Sequence, residues 1–150
     1  MKIFAELHPL IIHFPIVLLF SFVGLEILNL FLKKKYLITI SHVLLFIAVI
    51  TSLAATLTGN LAMQEVIDKI TNKDIIEAIE KHEEFASLTL WYFFTLLIIK
   101  TYLVLKKKFA HKLQYLFVIF ALVGLYLIFT AAKLGGVLVY KFGVGTELFN

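Results

Sequence analysis

Histidines are the side chains of this sequence best suited to bind a metal ion or a haem iron. His13 begins the first long apolar stretch, and His82 lies about one helical turn before the third. If both stretches cross a membrane in the same direction, these two residues lie at the same end of diagonal helices in a four-helix bundle. Two imidazoles that face each other in this way can bind haem iron from opposite sides. The spacing therefore predicts a bis-histidine haem b site.

The sequence leaves open which N-terminal histidine would bind. His8 and His13 are five residues apart, about 140° around a helix, so their side chains cannot point the same way. We take His13 as the main candidate because Pro9 can mark the start of the helix just after His8. All three histidines could instead be interfacial residues whose rings bond to the backbone.

The two helices that lack these histidines carry small residues at the same level. Ala55 and Gly59 share one face of the second stretch, and Gly135 and Gly136 follow the fourth. Small side chains would leave room for a porphyrin, and Lys141 could neutralise its propionates. Such residues also allow membrane helices to pack closely without any cofactor. We further expect the glycine pair to end the fourth helix, since glycine accepts the left-handed conformation.

A second group of ionisable residues lies near the opposite end of the stretches. It comprises Glu26, His42 and Lys100, each about one to two turns from the end of its stretch. Ionisable groups at membrane depth are costly and usually have a role. The structural interpretation is a pair of Glu26 with a Lys100 that extends to the interface. The functional interpretations are a proton path or a quinone pocket.

A divalent metal site is the second functional hypothesis. His8, His13 and His82, together with the neighbouring Glu83 and Glu84, offer the imidazole and carboxylate ligands that suit Zn²⁺, Ni²⁺ or Cu²⁺. Transport by such a protein is less favoured, because a four-helix monomer leaves little room for alternating access and no broken-helix repeat is visible. Assembly into a homo-oligomer would remove the first objection.

Long apolar helices are the elements that must position these residues. The chain is 61% apolar and 16% charged, whereas a soluble domain is about 45–50% apolar and about 25% charged. Four stretches, at about 9–32, 37–58, 85–105 and 113–134, are long enough to cross about 30 Å of hydrocarbon. Backbone groups in lipid need partners within their own segment, so these stretches are predicted helices. We therefore predict a single domain in lipid, an all-α up-down bundle of four transmembrane helices.

Lysine placement predicts the orientation of the bundle. Lys33–Lys35 follow the first stretch and Lys106–Lys108 follow the third, so these short loops should face the cytoplasm. The longer loop between the second and third stretches is acidic and should lie outside, as should both termini. We expect this loop to form an amphipathic helical hairpin at the interface, restarting near Thr71–Asp74. In a bacterium, this topology places both termini in the periplasm and the protein in the inner membrane.

Several classes of protein are disfavoured by what the sequence lacks. The chain has no cysteine, which excludes disulfides, thiolate metal sites and covalent attachment of haem through cysteine. Although the net charge is +4, the lysines lie in short membrane loops, and this placement does not favour binding to nucleic acid. We find no nucleophile–base pair and no phosphate-binding glycine loop. An electron-transfer protein is therefore favoured over an enzyme in its own right.

Three motifs together resemble a known family. The chain begins its first stretch with HPLIIHFPIVL, ends its second with TLTGN, and continues past its fourth with AAKLGGVLVYKFGVG. This combination is similar to the bacterial membrane proteins grouped as domain of unknown function 2231, over nearly the whole chain. The positions that match the family pattern are His8, Pro9, His13, Phe14, Pro15, Thr58, Gly59, His82, Gly135, Gly136, Tyr140, Gly143 and Gly145.

The resemblance implies a four-helix membrane domain connected with respiratory electron transfer. Some family members are fused to, or encoded beside, Rieske or c-type cytochrome domains. The family often has a histidine before its final GVG motif, where this chain has Phe142. Taken with the residues, the resemblance favours a haem b cytochrome that passes electrons between quinol and a periplasmic cytochrome c or Rieske-type protein. A membrane anchor subunit of a respiratory complex, with structural histidines only, is the third hypothesis.

Overall fold

The computed structural model describes residues 2–67, 70–106 and 111–146. Within these residues the only regular secondary structure is helix, with no strand. This confirms the prediction of an all-α protein with four long apolar helices. The helices are α1 (Lys2–Ile11), α2 (His13–Leu32), α3 (Lys35–Val66), α4 (Lys73–Leu105) and α5 (His111–Tyr140).

The first two helices form one nearly continuous rod. The only break is at Ile12, which keeps right-handed helical dihedral angles and whose N–H still donates to the carbonyl of His8 at 3.1 Å. Pro15 explains the break, because it has no N–H to offer to the carbonyl of Ile11 four residues earlier. The apolar part of this rod, Leu7–Leu32, is 26 residues long and is apolar enough to cross a membrane.

The four rods form an antiparallel bundle. Both α2 and α4 pack against α3 and α5, so α2 and α4 lie on one diagonal of the bundle. The short helix α1 packs mainly against α3. At the centre, the rings of Phe22 and Phe93 meet edge to face with centroids 6.3 Å apart. Gly124 of α5 provides the space for Phe93, since a Cβ at this position would lie 2.3 Å from the ring.

The segment between the second and third stretches lies at the end of the bundle that carries both termini, which is called the outer end from here on. This segment differs from the predicted interfacial hairpin. It continues the axes of α3 and α4, which are 32 and 33 residues long, so each is about 48 Å in length and exceeds the hydrocarbon thickness. The predicted restart does occur, because the side chain of Asn72 caps α4 by accepting the N–H of Asp74 at 2.9 Å. Ile70, Ile75 and Ile79 are buried in a small apolar cluster at this end.

The C-terminal helix does not end at the glycine pair as predicted. It passes through Gly135 and Gly136 and continues to Tyr140. The chain reverses instead at Gly143, which has a φ of 70°, and the N–H of Val144 then donates to the carbonyl of Leu138 at 2.9 Å. This turn lies against the outer apolar cluster, because Leu138 is buried in that cluster and Val144 packs on it. Both glycines are therefore accommodated within the helix, and the packing of the tail decides where the helix ends.

The outward faces of the bundle are apolar. The exposed fraction of the residue surface is 76% for Phe31 and Leu105 and 63% for Trp91. Many other large apolar residues are exposed along all four rods. Such a surface would be unstable in water, where large continuous apolar patches are rare on monomers. Four helices long and apolar enough to cross a membrane are present, and lipid is the solvent that suits their outer faces.

Candidate functional site

The outer end of the bundle holds His8 in a close contact between α1 and α3. A Cβ at Gly59 would lie 3.0 Å from Cε1 of the imidazole, so the ring rests directly on the backbone of α3. Its Nδ1 atom lies 3.1 Å from the hydroxyl of Thr58. Only glycine at position 59 lets the ring approach this closely while it bonds to the adjacent threonine.

His82 has the same relationship to the other pair of helices. It lies on α4, and a Cβ at Gly135 of α5 would lie 3.0 Å from its Cε1 atom. Its Nδ1 atom lies 3.1 Å from the backbone carbonyl of Ala131. Each imidazole therefore lies against a glycine of a neighbouring helix and forms a hydrogen bond to that same helix.

These hydrogen bonds assign the tautomer of both histidines. A carbonyl oxygen can only accept, so the bond to Ala131 requires a proton on Nδ1 of His82. The hydroxyl of Thr58 donates to the carbonyls of Ala54 and Ala55 at 3.0 Å each, so its oxygen accepts from Nδ1 of His8. With a proton on Nδ1, the lone pair of each neutral ring lies on Nε2.

The two imidazoles lie near each other at the same end of the bundle. They lie close enough for the charge of one ring to act on the other. Both are partly buried. The site is thus formed by α1 and α4 as carriers of histidines, with α3 and α5 as carriers of the glycines that support them. We call His8, His82, Gly59 and Gly135 the outer histidine site.

His13, the main candidate from the sequence, is not part of this arrangement. Its side chain is exposed on the surface of the bundle. His8 packs into the bundle instead, against Gly59, and the physical reason is the helical separation of the two N-terminal histidines together with a helix that begins before His8. The sequence argument placed that beginning at Pro9, but α1 already starts at Lys2.

The other residues predicted for this site divide into two groups. Gly59 and Gly135 touch the imidazoles, and Ala55 supplies a carbonyl that holds the Thr58 hydroxyl. Gly136 faces away, since the nearest atom to a Cβ there is Cδ2 of Tyr140 at 3.9 Å. Lys141 is exposed in the outer turn, where its ammonium lies 4.9 Å from the ring centroid of Phe142.

The hypothesis of a divalent metal site finds no support in the geometry. Among the described residues, no group of three or more His, Cys, Asp or Glu side chains is arranged to hold a metal ion. The outer histidine site supplies two imidazole ligands. Two imidazoles are a complete axial set for haem iron, whereas tetrahedral metal sites in proteins use three or four protein ligands.

A buried ion pair lies toward the opposite end of the bundle, called the inner end from here on. The Lys100 ammonium of α4 contacts Oε1 of Glu26 on α2, and both side chains are almost completely buried, with 0% and 1% exposed. The ammonium also donates to the hydroxyl of Ser41 on α3 at 2.7 Å. Lys100 therefore does not extend to the interface as the structural interpretation expected, because its counter-ion and its hydroxyl acceptor both lie in the core.

The remaining carboxylate oxygen is held by the fourth rod. Nε2 of Gln114 on α5 donates to Oε2 of Glu26 at 2.7 Å and to its backbone carbonyl at 3.1 Å. The side chain of Asn29 donates to Oε1 of Gln114 at 3.2 Å and accepts the N–H of Lys34 in the inner turn at 2.9 Å. One polar network, from here the inner network, thus joins all four rods and fixes the turn between α2 and α3.

His42 lies apart from this network, although the sequence grouped it there. Its ring lines a groove between α3 and α4, where the charge of Lys100 still acts on it. Nδ1 of His42 is buried and has no hydrogen-bond partner among the described residues. The sequence argument used depth alone, whereas the direction of each side chain separates His42 from the pair.

Sequence reasoning did not single out Ser41, Asn29 or Gln114, and it assigned no role to Thr58. All four are buried polar residues within long apolar helices. That combination is a usable signal, because an uncharged polar side chain at membrane depth usually bonds to another helix. The carbonyl of Ala131 could not be found from the sequence, since any residue supplies a carbonyl.

The fold and these sites define a multi-pass α-helical membrane protein with polar groups at two depths. The sequence matches the family described as "Predicted membrane protein (DUF2231)" over residues 5–148. The chain therefore belongs to this family, which confirms the resemblance noted from its motifs. Comparison with curated proteins and with solved structures finds no similar protein.

Proposed function

We propose that this protein binds haem b at the outer histidine site and transfers electrons in the membrane. The observation that carries the proposal is the state of the two imidazoles. His82 donates Nδ1–H to the carbonyl of Ala131, and Nδ1 of His8 forms a hydrogen bond with the hydroxyl of Thr58, so each ring is held through Nδ1 by a neighbouring helix and its Nε2 atom would be the ligand to iron. Histidines that bind metals in proteins almost always donate their other ring N–H in this way, because the hydrogen bond fixes both the tautomer and the orientation of the ring.

The supporting residues fit an axial ligand better than they fit a histidine that merely packs. Gly59 and Gly135 leave contact distance and no more for the imidazole, so each ring is confined between a glycine and a hydrogen-bond acceptor. Confinement of this kind lowers the entropy that ligand binding would otherwise cost. The two units come from separate helix pairs, so a bound porphyrin would lie between them.

The chain's own residues would set the properties of the cofactor. A haem held by two imidazoles supplies one-electron redox chemistry. Thr58 and the carbonyl of Ala131 would tune it, because a hydrogen bond to Nδ1–H increases the electron density of the bound nitrogen. Exposed lysines at the outer end, Lys133 and Lys141, are available to neutralise the propionates.

We assign quinol as the electron donor and a soluble cytochrome c or Rieske-type protein as the acceptor. Support for an acceptor on the outer side comes from Glu80 and Glu84 of α4, which are exposed beyond the span near the histidines, whereas the neighbouring Glu77 is paired with Lys81. A negative surface of this kind steers a positively charged partner to the site. Exposed lysines at the opposite end of the bundle support a periplasmic location of this surface, by the excess of positive charge in cytoplasmic loops.

Visible spectra of the purified protein test the proposal. We expect a low-spin b-type spectrum that changes on reduction with dithionite, and we expect His8→Ala and His82→Ala each to abolish it. His13→Ala is the matched control, since His13 is an exposed histidine of the same rod. Addition of free imidazole to His8→Gly should restore the low-spin spectrum if the missing ring is an axial ligand.

Two results would contradict the proposal. A colourless protein purified from haem-replete cells would remove it, and co-purification of respiratory subunits with that colourless protein would favour the anchor hypothesis. A spectrum that survives in both single variants but disappears in His13→Ala would show that the ligand is the other N-terminal histidine.

A glycine pair provides a second test that leaves the ligands in place. Gly135→Ala introduces a methyl group 3.0 Å from the ring of His82, whereas Gly136→Ala meets only Tyr140 at 3.9 Å. Both changes make the same chemical addition to the same helix. We expect lower haem content or a high-spin spectrum in the first variant alone. Equal spectra in the two variants would show that the imidazole position is not critical.

A further inference from the structure

The turn between α2 and α3 carries three consecutive lysines at the inner end of the bundle. Lys33–Lys35 are all exposed, and so are Lys106 at the end of α4 and Lys112 near the start of α5. None of these five lysines forms an ion pair with another of the described residues. The inner end therefore presents a positively charged surface.

Acidic side chains do not offset this charge. Glu26 is the only acidic residue in 7–64, and the sequence has none in 85–146. Glu26 is buried and contacts the Lys100 ammonium, so its charge is balanced within the bundle. The exposed lysines of the inner end are thus left to interact with anionic groups from outside the protein.

The backbone of Lys33 indicates that the charge has a role. Its φ is 52° and its ψ is 39°, which is the left-handed conformation. Among the described residues, Lys33 is the only one other than glycine with a positive φ. Glycine is the usual residue where a helix ends in this conformation, because a Cβ makes the conformation costly. Residues held in such conformations cluster at functional sites.

The inner network holds this turn in place. The backbone carbonyl of Asn29 accepts the N–H of Lys33 at 3.0 Å, and its side-chain oxygen accepts the N–H of Lys34 at 2.9 Å. Asn29 is itself fixed, because its side chain donates to Gln114 of α5 at 3.2 Å. The lysine side chains therefore start from an ordered backbone, so less entropy is lost when an anion binds to them.

We propose that the Lys33–Lys35 turn binds the phosphates of anionic phospholipid head groups. Only two residues separate α2 from α3, so the turn is short. Exposed apolar and aromatic residues lie on both sides of it, Phe31 and Leu32 before it and Tyr36 after it. These residues suit lipid tails, and tyrosine is common at the level of the head groups. The lysine side chains can extend from the turn to that level.

An acidic protein fits this turn less well as a partner. The turn is too short to extend far beyond the head groups, so a protein would have to reach it through them. A lipid phosphate lies beside the turn without such an approach. Lysines in short loops also orient a membrane protein during insertion, but that role needs only positive charge and does not require a lysine in the left-handed position.

Tryptophan fluorescence tests the proposal in vesicles of phosphatidylcholine and phosphatidylglycerol. Trp91→Phe/Tyr36→Trp places the only tryptophan of the full-length protein beside the turn. Dibrominated chains, on one of the two lipids at a time, quench this tryptophan when that lipid is its neighbour. We expect phosphatidylglycerol to be preferred by about fivefold, the effect of one lysine at an anionic membrane surface.

The wild-type protein is the matched control for position. Its Trp91 lies 14 residues before the end of α4, about 21 Å from the inner end, and therefore reports on lipids of the outer half of the membrane. We expect Trp91 to show no preference between the two lipids. The outer histidine site takes no part, so His8→Ala in the reporter protein should leave the preference unchanged, and loss of haem would not remove the inference.

Variants of Lys33 separate its charge from its backbone conformation. Lys33→Gly suits the left-handed conformation, so it should remove most of the lipid preference while the resistance to unfolding in SDS stays the same or rises. Lys33→Arg keeps the charge and should keep the preference. Lys73→Gln removes an exposed lysine at the outer end and should change neither property.

Three results would overturn the inference. The first is equal quenching by the two lipids beside the turn, and the second is the same preference at Trp91 as at Tyr36→Trp. The third is a Lys33→Gly protein that keeps the preference. If that protein is also less stable, the charge of Lys33 serves the C-terminal end of α2 and not a lipid.

Discussion

Removal of the Lys100 ammonium should destabilise the bundle more than any other single change of a charged residue at its inner end. Lys100→Met keeps the length and the apolar character of the side chain but leaves Glu26 without its counter-ion. Glu26 is 1% exposed, so water cannot take the place of the ammonium. The change also removes the donor to Ser41.

The expected loss follows from this burial. Loss of one partner of a buried ion pair typically costs about 3–5 kcal/mol, because the other charge stays buried without compensation. Replacement of both charges by apolar side chains of similar volume is often neutral or stabilising. We therefore expect Glu26→Leu/Lys100→Met to recover to within about 1 kcal/mol of the wild type, since Gln114 is then the main polar group left with fewer partners.

Unfolding in mixed micelles with increasing SDS measures these differences. Lys112→Met is the matched control, because Lys112 is an exposed lysine near the same end of the bundle. We expect the control to change the free energy of unfolding by less than about 0.5 kcal/mol. The reasoning fails if Lys100→Met is as stable as the control, or if the double variant is less stable than Lys100→Met alone.

Two further changes test the packing and the outer histidine site. Gly124→Ala places a methyl group 2.3 Å from the ring of Phe93, so it should destabilise the protein by about 1–3 kcal/mol in the same assay. Gly24→Ala meets no atom within 4 Å, so it should leave the stability unchanged or raise it. Equal stability of the two variants would contradict the packing argument. Thr58→Val removes the hydroxyl that bonds to Nδ1 of His8, so it should lower the haem content or shift the reduction potential. Thr56→Val is the control, because it removes only an intrahelical bond to Ser52 and should leave both properties unchanged.

Depth in the membrane was readable from the sequence, but direction around each helix was not. The sequence placed His13 and His82 at one level, and it placed Glu26, His42 and Lys100 at another. The structure shows that His13 is exposed and that His42 points into a groove on the outside of the bundle. Hydropathy and rise per residue determine depth, whereas side-chain direction depends on helix rotation, which only contacts with the other helices settle.

Helix ends show the same division. Asn72 was a readable start signal because its side chain can cap the helix locally. Gly135 was a misleading stop signal, because its small size serves the contact with His82 and its backbone remains helical. The helix ends at Tyr140 and the chain reverses at Gly143, where Leu138 and Val144 pack in the outer apolar cluster.

The sequence by itself determined that this chain is a helical membrane protein of a known family. Long apolar stretches permit no other backbone solution in lipid, and three motifs along the chain identify the family. Tertiary structure alone decided that His8 packs against Gly59 while His13 is exposed, and that Lys100 is buried against Glu26 instead of reaching the interface. The physical reason is that both outcomes depend on residues of other helices that lie far away along the chain. A glycine makes room for the imidazole ring in the first case, and a carboxylate pairs with the ammonium in the second.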